Sequence, residues 1–159
     1  MPEIQEAVTI NRPVSDVFRY VADLDNAAQW QPDVVEAHVS GERARVGSFF
    51  THVRTTRLLG WKLDLNADVV NLVPNRLIEY KGAVARFPVR GQYEFESSGG
   101  TTVVREYVNV RMGFLYAVFS PLMSSVITGR TRRALAQLKQ TLEAGRSGTD
   151  SITSFHQDL

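Results

Sequence analysis

The chain has 159 residues, a formal net charge of +1 and 22% charged side chains. A chain of this length forms one domain that buries roughly 70% of its unfolded surface, and its near-neutral charge argues against nucleic acid as a partner. The absence of cysteine excludes disulfides and thiolate metal sites.

The N-terminal part of the chain predicts a strand and two short helices. Residues 5–10 alternate and are rich in β-formers, which indicates a strand. Asn11 and Pro13 then provide a helix start, and a second short helix over residues 24–30 ends at Pro32. This part lacks the basic stretch and apolar run of a signal peptide, so we expect a cytoplasmic protein.

Further strand segments follow one another with short connections and no intervening helix. Their predicted ranges are 34–40, 48–57, 61–73, 76–82, 87–96 and 102–111. Pro74-Asn75 and Gly99-Gly100 have the residue types of tight turns. Strands joined in this way predict an antiparallel meander rather than parallel units with crossover helices.

The last predicted element is a helix over residues 115–144, with an apolar stripe formed by Leu135, Leu138 and Leu142. Pro121 is expected to kink or restart it, because proline removes a helical hydrogen bond. Beyond Gly145 the sequence is rich in Ser and Thr and has no pattern. We therefore predict one domain over residues 1–145 and a mobile tail over 146–159.

One uncharged segment, residues 112–129, invites comparison with a membrane span. A spanning helix needs about 20 predominantly apolar residues. This segment is shorter and is diluted by Gly, Ser, Thr and Pro. It therefore predicts a buried helix, with no stable membrane insertion.

Several segments carry a family resemblance: INRPVSDVF at residues 10–18, VAD at 21–23, Trp30, Pro32, VPNRL at 73–77, GTTV at 100–103, RAL at 133–135 and KQTLE at 139–143. In this order they resemble the START-like helix-grip superfamily (SRPBCC), in its polyketide cyclase/dehydrase branch. The resemblance implies an α+β helix-grip fold, in which a curved antiparallel sheet of seven strands wraps round a long C-terminal helix, with two short helices after strand one. It implies a cavity but no single chemistry, since members include cyclases, aromatases, lipid carriers and ligand sensors.

A cavity also follows from geometry, because a helix laid on a twisted, curved sheet cannot touch every part of its concave face. The predicted ligand-binding residues are Trp30, Phe50, Leu63, Leu65, Val69, Asn71, Tyr80, Phe87, Tyr93, Phe95, Phe114, Val118, Leu122 and Met123. Each of them has an alternative role as ordinary core. Asn71 is either a polar anchor or a satisfied amide beside a turn, and Trp30 either packs the second helix or gates the pocket.

Glu106 stands out because it shares a strand face with Val104 and Val108. An acid on an apolar face is costly to ionise unless it is paired. It is a candidate for orienting a ligand hydroxyl or for acting as a general base. The alternatives are that a β-bulge exchanges the two faces or that an arginine neutralises the acid.

His52 and Arg54 lie two positions apart on one strand face and complete the set of candidate catalytic residues with Glu106. Histidine titrates near neutrality and arginine holds carboxylates or phosphates. The alternative is that His52 faces solvent or is a hydrogen-bonded structural residue. Arg130, Arg132 and Arg133 form a basic group that predicts a solvated helix face, with contact to an anionic head group as the alternative.

Two functions compete, and both use an internal cavity. The first is binding or transport of a hydrophobic small molecule, such as a lipid or a polyketide-like compound. The second is a polyketide cyclase, aromatase or dehydratase activity in which a pocket acid or histidine moves protons. No nucleotide, phosphate, nucleophile-elbow or metalloprotease motif occurs, and the histidines are too scattered for a metal site, so no cofactor or metal is expected. A homodimer and a protein-interaction role remain open.

Overall fold

The computed structural model of the chain describes residues 4–41, 44–55 and 61–155, with side chains described except at 116, 120 and 146–155. Its elements are β1 (Ile4–Ile10), α1 (Val14–Ala22), a 3-10 helix (Leu24–Asn26), α2 (Ala27–Trp30), β2 (Val34–Val39), β3 (Phe49–Thr55), β4 (Lys62–Val73), β5 (Leu77–Val84), β6 (Phe87–Ser98), β7 (Thr101–Val110) and α3 (Phe114–Phe155). The predicted order of elements is confirmed. The backbone of α3 is helical to Phe155 rather than to residue 144, and the mobility of residues 146–159 stays a prediction.

The strands form one antiparallel sheet of seven strands in the order β1-β7-β6-β5-β4-β3-β2. Strands β2 to β6 each pair with the next strand along the chain, as a meander predicts. β1 instead crosses to the far edge, where Ile4 lies opposite Val108 and Ile10 opposite Thr102. The helices α1 and α2 occupy the connection from β1 to β2, so the predicted α+β architecture is confirmed.

The chain enters α1 through Pro13, whose φ of −60° and ψ of 147° place it at the N-cap. Asn11, which was predicted with Pro13 to start this helix, lies before the N-cap, and its backbone N–H donates to Glu143 Oε1 of α3 at 2.9 Å. Val17 and Val21 are buried on the inner side of α1. The beginning of the first helix is thereby tied to the last helix.

The turn residues behave as the sequence indicates. Asn75 has a φ of 62°, and Gly99 and Gly100 have φ values of 55° and 88°. A different glycine is needed for packing: a Cβ at Gly91 would lie 2.2 Å from Cζ of Tyr80 on the neighbouring strand. Gly91 therefore leaves the space in which the Tyr80 ring lies across the concave face.

The helix α3 lies against β1 and α2. In its C-terminal part Ala134, Leu135 and Leu138 are at most 2% exposed and belong to the core. In its N-terminal part most of the large apolar side chains are exposed, and Pro121 lies inside the helix rather than at a boundary. Among the described residues, no helix combines the length and the hydropathy that crossing a membrane requires.

Candidate functional site

A cluster of charged and amide side chains lies on the concave face between the sheet and α3, with Gln31 and Glu106 buried and the others 13–19% exposed. This polar cluster consists of Gln31, Asp33, Arg54, Glu106 and Arg130. Gln31 and Asp33 lie between α2 and β2, Arg54 near the end of β3, Glu106 in β7, and Arg130 in α3. The cluster therefore connects the β2–β3 side of the sheet and strand β7 to the helix α3.

Asp33 is the centre of the cluster. Arg54 Nη1 donates to its Oδ2 at 2.8 Å, and Arg130 Nε donates to the same oxygen at 3.2 Å. Both guanidinium groups also donate to Oε1 of Gln31. Burial disfavours the charge of Asp33, but Arg130 and Arg54 outweigh it and hold the pKa of this carboxyl below its usual value.

Arg130 connects Asp33 to Glu106, with 3.3 Å between Arg130 Nη1 and Glu106 Oε1. Its side chain is only 16% exposed. Burial opposes its charge, yet Glu106 and Asp33 raise the pKa of Arg130 above its ordinary value. The prediction that the basic group is a solvated helix face is therefore wrong for Arg130, because α3 turns this residue toward the buried Glu106 and the largely buried Asp33.

Glu106 is completely buried, as its alternation with Val104 and Val108 predicted. No bulge exchanges the faces of β7, and the acid lies opposite Tyr93 of β6. Tyr93 Oη donates to Glu106 Oε1 at 3.3 Å. The pKa of Tyr93 is raised, mainly because the side chain is buried and secondly because Glu106 is negatively charged. Glu106 Oε2 has no hydrogen-bond partner among the described residues.

His52 is also buried, at 3% exposure, so the alternative of a solvent-facing histidine is wrong. Its Nε2 lies 3.2 Å from the carbonyl oxygen of Leu24, and its ring centroid lies 4.8 Å from that of Phe50. Burial, reinforced by the positive charge of Arg54, lowers the pKa of His52 to about 3. The imidazole is therefore neutral at physiological pH.

The interior cavity beside His52 has a volume of about 10 Å³, which is space for roughly one water molecule. Aromatic rings fill the remaining space, with centroids 5.9 Å apart for Trp30 and Tyr93 and 5.7 Å apart for Phe50 and Tyr80. The expectation of a large enclosed cavity on the concave face is therefore not met among the residues that the structure describes. The physical reason is that large aromatic side chains, on strands and helix alike, converge on the same space.

One end of the concave face is less completely covered. Here the first residues of β4 and β6 lie beside the last residues of β5 and β7. Four apolar side chains at this open end are only half-buried: Leu63, Val84, Phe87 and Val110. The chain passes from Val110 into the beginning of α3, so the exposed apolar part of that helix starts at the same end of the sheet.

The other predicted ligand-binding residues divide into three groups. Buried on the concave face are Trp30, Phe50, Leu65, Val69, Tyr80, Tyr93 and Phe95. Leu63, Phe87 and Met123 are half-buried. Phe114, Val118 and Leu122 are 82%, 54% and 59% exposed, so the structure does not bring them into the interior.

Asn71 requires a correction as a predicted polar anchor. A β-bulge between Val69 and Asn71 shifts the register of β4 against β5. Asn71 is exposed as a result, while Leu72 packs against the core in its place. Simple alternation along the strand could not anticipate that extra residue.

Sequence reasoning missed Gln31 and Asp33 and assigned Arg130 to solvent. A signal for Arg130 exists, since it is the first charged residue after the uncharged segment 112–129. Asp33 follows Pro32 in a connection, where no periodicity indicates the direction of a side chain. Among the described residues no group of three or more histidine and carboxylate side chains could hold a metal ion.

A surface groove of about 350 Å³ lies elsewhere, between β1 and α3. Glu6, Arg132, Leu135 and Lys139 line it. None of the predicted site residues belongs to it. Its polar rim is tied by the Arg132–Glu6 ion pair at 3.0 Å and by Lys139 Nζ donating to the Thr9 carbonyl at 2.7 Å.

A curled seven-stranded antiparallel sheet holding a long C-terminal helix defines the START-like, helix-grip class of protein. Within that class the sequence matches the family model described as polyketide cyclase/dehydrase and lipid transport over residues 1–143. The chain belongs to this family, and the predicted resemblance is confirmed. A search of the curated proteins found no match for the sequence.

Solved structures share the fold at low sequence identity. A protein from Thermus thermophilus is 17% identical, with a TM-score of 0.76 over 91% of this chain and 99% of its own. The Zhui aromatase/cyclase from a Streptomyces species is 13% identical, with a TM-score of 0.71 over 89% of this chain and 93% of its own. A START superfamily protein from Mycobacterium smegmatis is 12% identical, with a TM-score of 0.71 over 89% and 97%. At these identities the similarity establishes the fold.

Proposed function

We propose that the protein binds a hydrophobic small molecule, lipid or polyketide-like, at the open end of the concave face. The observation that carries this proposal is the half-burial of Leu63, Val84, Phe87 and Val110. Isolated apolar residues on a surface are normal, whereas four that adjoin one another at the edge of the core form a patch that an apolar ligand can cover.

The volume of the interior limits where a ligand fits. Ligand pockets are typically about 300–1,000 Å³, far larger than the 10 Å³ beside His52. The interior is too small for the apolar body of the ligand, which we place instead at the open end because the half-buried apolar side chains lie there. His52 lies opposite Leu65, and Leu65 lies opposite Val84 of the open end, so two strand spacings of about 5 Å each separate them. A small group of the ligand is proposed to reach across this distance toward His52.

Membership of the family also suggests cyclase, aromatase or dehydratase chemistry. The candidate acid and arginine, however, already form ion pairs within the protein. Arg54 and Arg130 are paired with Asp33, and Glu106 is paired with Arg130. A general base works best when its pKa is near the operating pH, whereas that of His52 is about 3. These contacts favour binding over proton transfer.

The proposal is tested by displacement of the neutral dye Nile red by polycyclic aromatics such as pyrene. Phe87→Ala removes an aromatic ring from the open end. It is expected to weaken dye binding about tenfold, because burying a phenylalanine side chain is worth roughly 1.5–3 kcal/mol.

Phe49→Ala is the matched control, since Phe49 is 46% exposed on β3, where the next residue, Phe50, faces the core. This variant is expected to leave the affinity unchanged. Equal weakening by both substitutions, or dye that pyrene does not displace, would show that the ligand binds elsewhere. Native mass spectrometry of the purified protein then identifies any ligand that co-purifies.

A further inference from the structure

The hydrogen-bonding state of His52 is defined by its surroundings. Its Nε2 lies 3.2 Å from the carbonyl oxygen of Leu24, which can only accept a hydrogen bond. Nε2 therefore carries the ring hydrogen. Since the ring is buried and neutral, Nδ1 has no hydrogen and is an acceptor.

That acceptor is unsatisfied, because Nδ1 has no partner among the described residues. His52 lines the cavity of about 10 Å³, together with Trp30, Phe50 and Tyr80. A buried acceptor without a donor destabilises the folded protein, because the hydrogen bond it makes with water in the unfolded chain is lost. The space is large enough for one hydroxyl group and too small for a ring.

Two neighbouring donors are already used by other acceptors. Arg54 donates to Asp33 and Gln31, and Tyr93 donates to Glu106. The two arginines of the polar cluster are matched by two acids, so the cluster has no formal excess of positive charge. An anionic head group therefore gains no unpaired cation here, and it would place an acceptor against the acceptor of His52.

We propose that Nδ1 of His52 accepts a hydrogen bond from a hydroxyl group of the ligand, so that the protein selects hydrophobic alcohols or phenols over hydrocarbons and carboxylates. This inference rests on the proposed function, because the apolar body of the same ligand covers the open end. The hydroxyl enters the small cavity and supplies the donor that the protein lacks.

The test compares 1-naphthol, naphthalene and 1-naphthoate in competition with Nile red. The measured quantity is the ratio of the affinity for 1-naphthol to the affinity for naphthalene. This ratio is compared between variants, because the difference in solubility of the two compounds is the same for every variant and cancels. His52→Leu, which has no acceptor, is expected to lower this ratio about threefold to tenfold, the value of one net hydrogen bond. His52→Asn, which keeps an acceptor oxygen near the position of Nδ1, is expected to retain the ratio, and 1-naphthoate is expected to bind more weakly than 1-naphthol.

A second measurement uses the wild-type protein, so that its result does not depend on whether the His52 variants fold. With ¹⁵N-labelled histidine, the NMR spectrum is expected to show Nδ1 of His52 without a hydrogen. Its signal is expected to shift on addition of 1-naphthol and not of naphthalene. A hydrogen on Nδ1, or identical responses to the two compounds, would overturn the inference.

The two proposals fail in different ways. Equal relative affinities in wild type, His52→Leu and His52→Asn would remove the hydroxyl specificity and leave hydrophobic binding intact. Failure of both naphthalene and 1-naphthol to compete with the dye would remove the proposed function, and the hydroxyl specificity with it.

Discussion

The two parts of α3 resemble each other in sequence pattern and differ in structure. Residues 114–129 carry Leu115, Val118 and Leu122 at helical spacing, yet these side chains are 40%, 54% and 59% exposed. Residues 130–144 carry Leu135 and Leu138 at similar spacing, and both are at most 2% exposed. An apolar stripe thus indicates a face that can be buried, and the neighbouring elements decide whether it is.

The neighbour of the C-terminal part is β1. Lys139 Nζ donates to the Thr9 carbonyl, and Glu143 accepts from the Asn11 backbone. At the boundary between the two parts, Arg130 joins the helix to Asp33 and Glu106. Removing contacts on each side of this boundary measures how far the two parts differ.

The largest effect is expected for Glu106→Gln, which leaves the largely buried charge of Arg130 with only one of its two acidic partners, Asp33. The free energy of unfolding should fall by about 3–5 kcal/mol, as for other buried pairs that lose one member. Denaturant unfolding measures it. Glu6→Gln is the matched control, since it breaks the Arg132–Glu6 pair, in which the Arg132 side chain is 69% exposed, and should cost at most about 1 kcal/mol. Similar losses in both variants would mean that Arg130 is solvated.

The packed part of the helix is tested by Leu138→Ala. Leu138 is fully buried, and truncating such a side chain leaves a cavity in the core. We expect a loss of about 3 kcal/mol in the free energy of unfolding, within the range for buried leucines. A loss below about 1 kcal/mol would show that the C-terminal part of α3 is loosely packed in solution.

Acid should lower the free energy of unfolding, because His52 is buried in its neutral form. The folded protein holds the pKa of His52 at about 3, against 6.5 for an unperturbed histidine. The unfolded state therefore binds more protons between these values, so stability falls as the pH falls. From pH 7 to pH 5 the loss should be about 2 kcal/mol.

His52→Asn is the control for this pH dependence, because it removes the titrating ring. The pKa of Asp33 is lowered from 3.8, so its contribution to stability is lost only below this pH range. Identical slopes of stability against pH in wild type and His52→Asn would show that His52 is solvated in the folded protein.

The smallest effect is expected for Leu122→Ala in the exposed part of α3. Because its side chain is already 59% exposed, truncation should change the free energy of unfolding by no more than about 0.5 kcal/mol. A loss as large as that of Leu138→Ala would mean that a partner covers this part of the helix in solution.

The sequence predicted the elements of the fold because their signals are local. Alternation in β7 correctly oriented Glu106 inward, and the residue types at Asn75 and Gly99 correctly indicated turns. The same alternation failed at Asn71, where the bulge in β4 adds one residue to the strand. A single inserted residue reverses every later side chain, and nothing in the local composition marks it.

The site was harder to predict because it depends on how α3 is rotated about its axis. The group Arg130, Arg132 and Arg133 looks uniformly basic in sequence, yet only Arg130 faces Asp33 and Glu106. The volume of the cavity was not predictable either, since it depends on how closely the aromatic rings pack. The sequence pattern identifies which side chains face inward, whereas the packing of those side chains determines the volume of the cavity between them.

The pairing of β1 with β7 has a consequence for how the chain reaches its native state. Ile4 pairs with Val108, so the first strand has no partner until nearly all of the sheet has been synthesised. During synthesis the segments β2 to β7 can pair in succession as hairpins. Strand β1 stays unpaired until β7 is available, and so does the edge of β7 to which it binds. Pairings between such distant residues slow folding toward the millisecond-to-second range and lengthen the time during which that edge is open to association. The last step of folding is therefore expected to be the pairing of β1 with β7, which completes the sheet, together with the packing of α3 against β1.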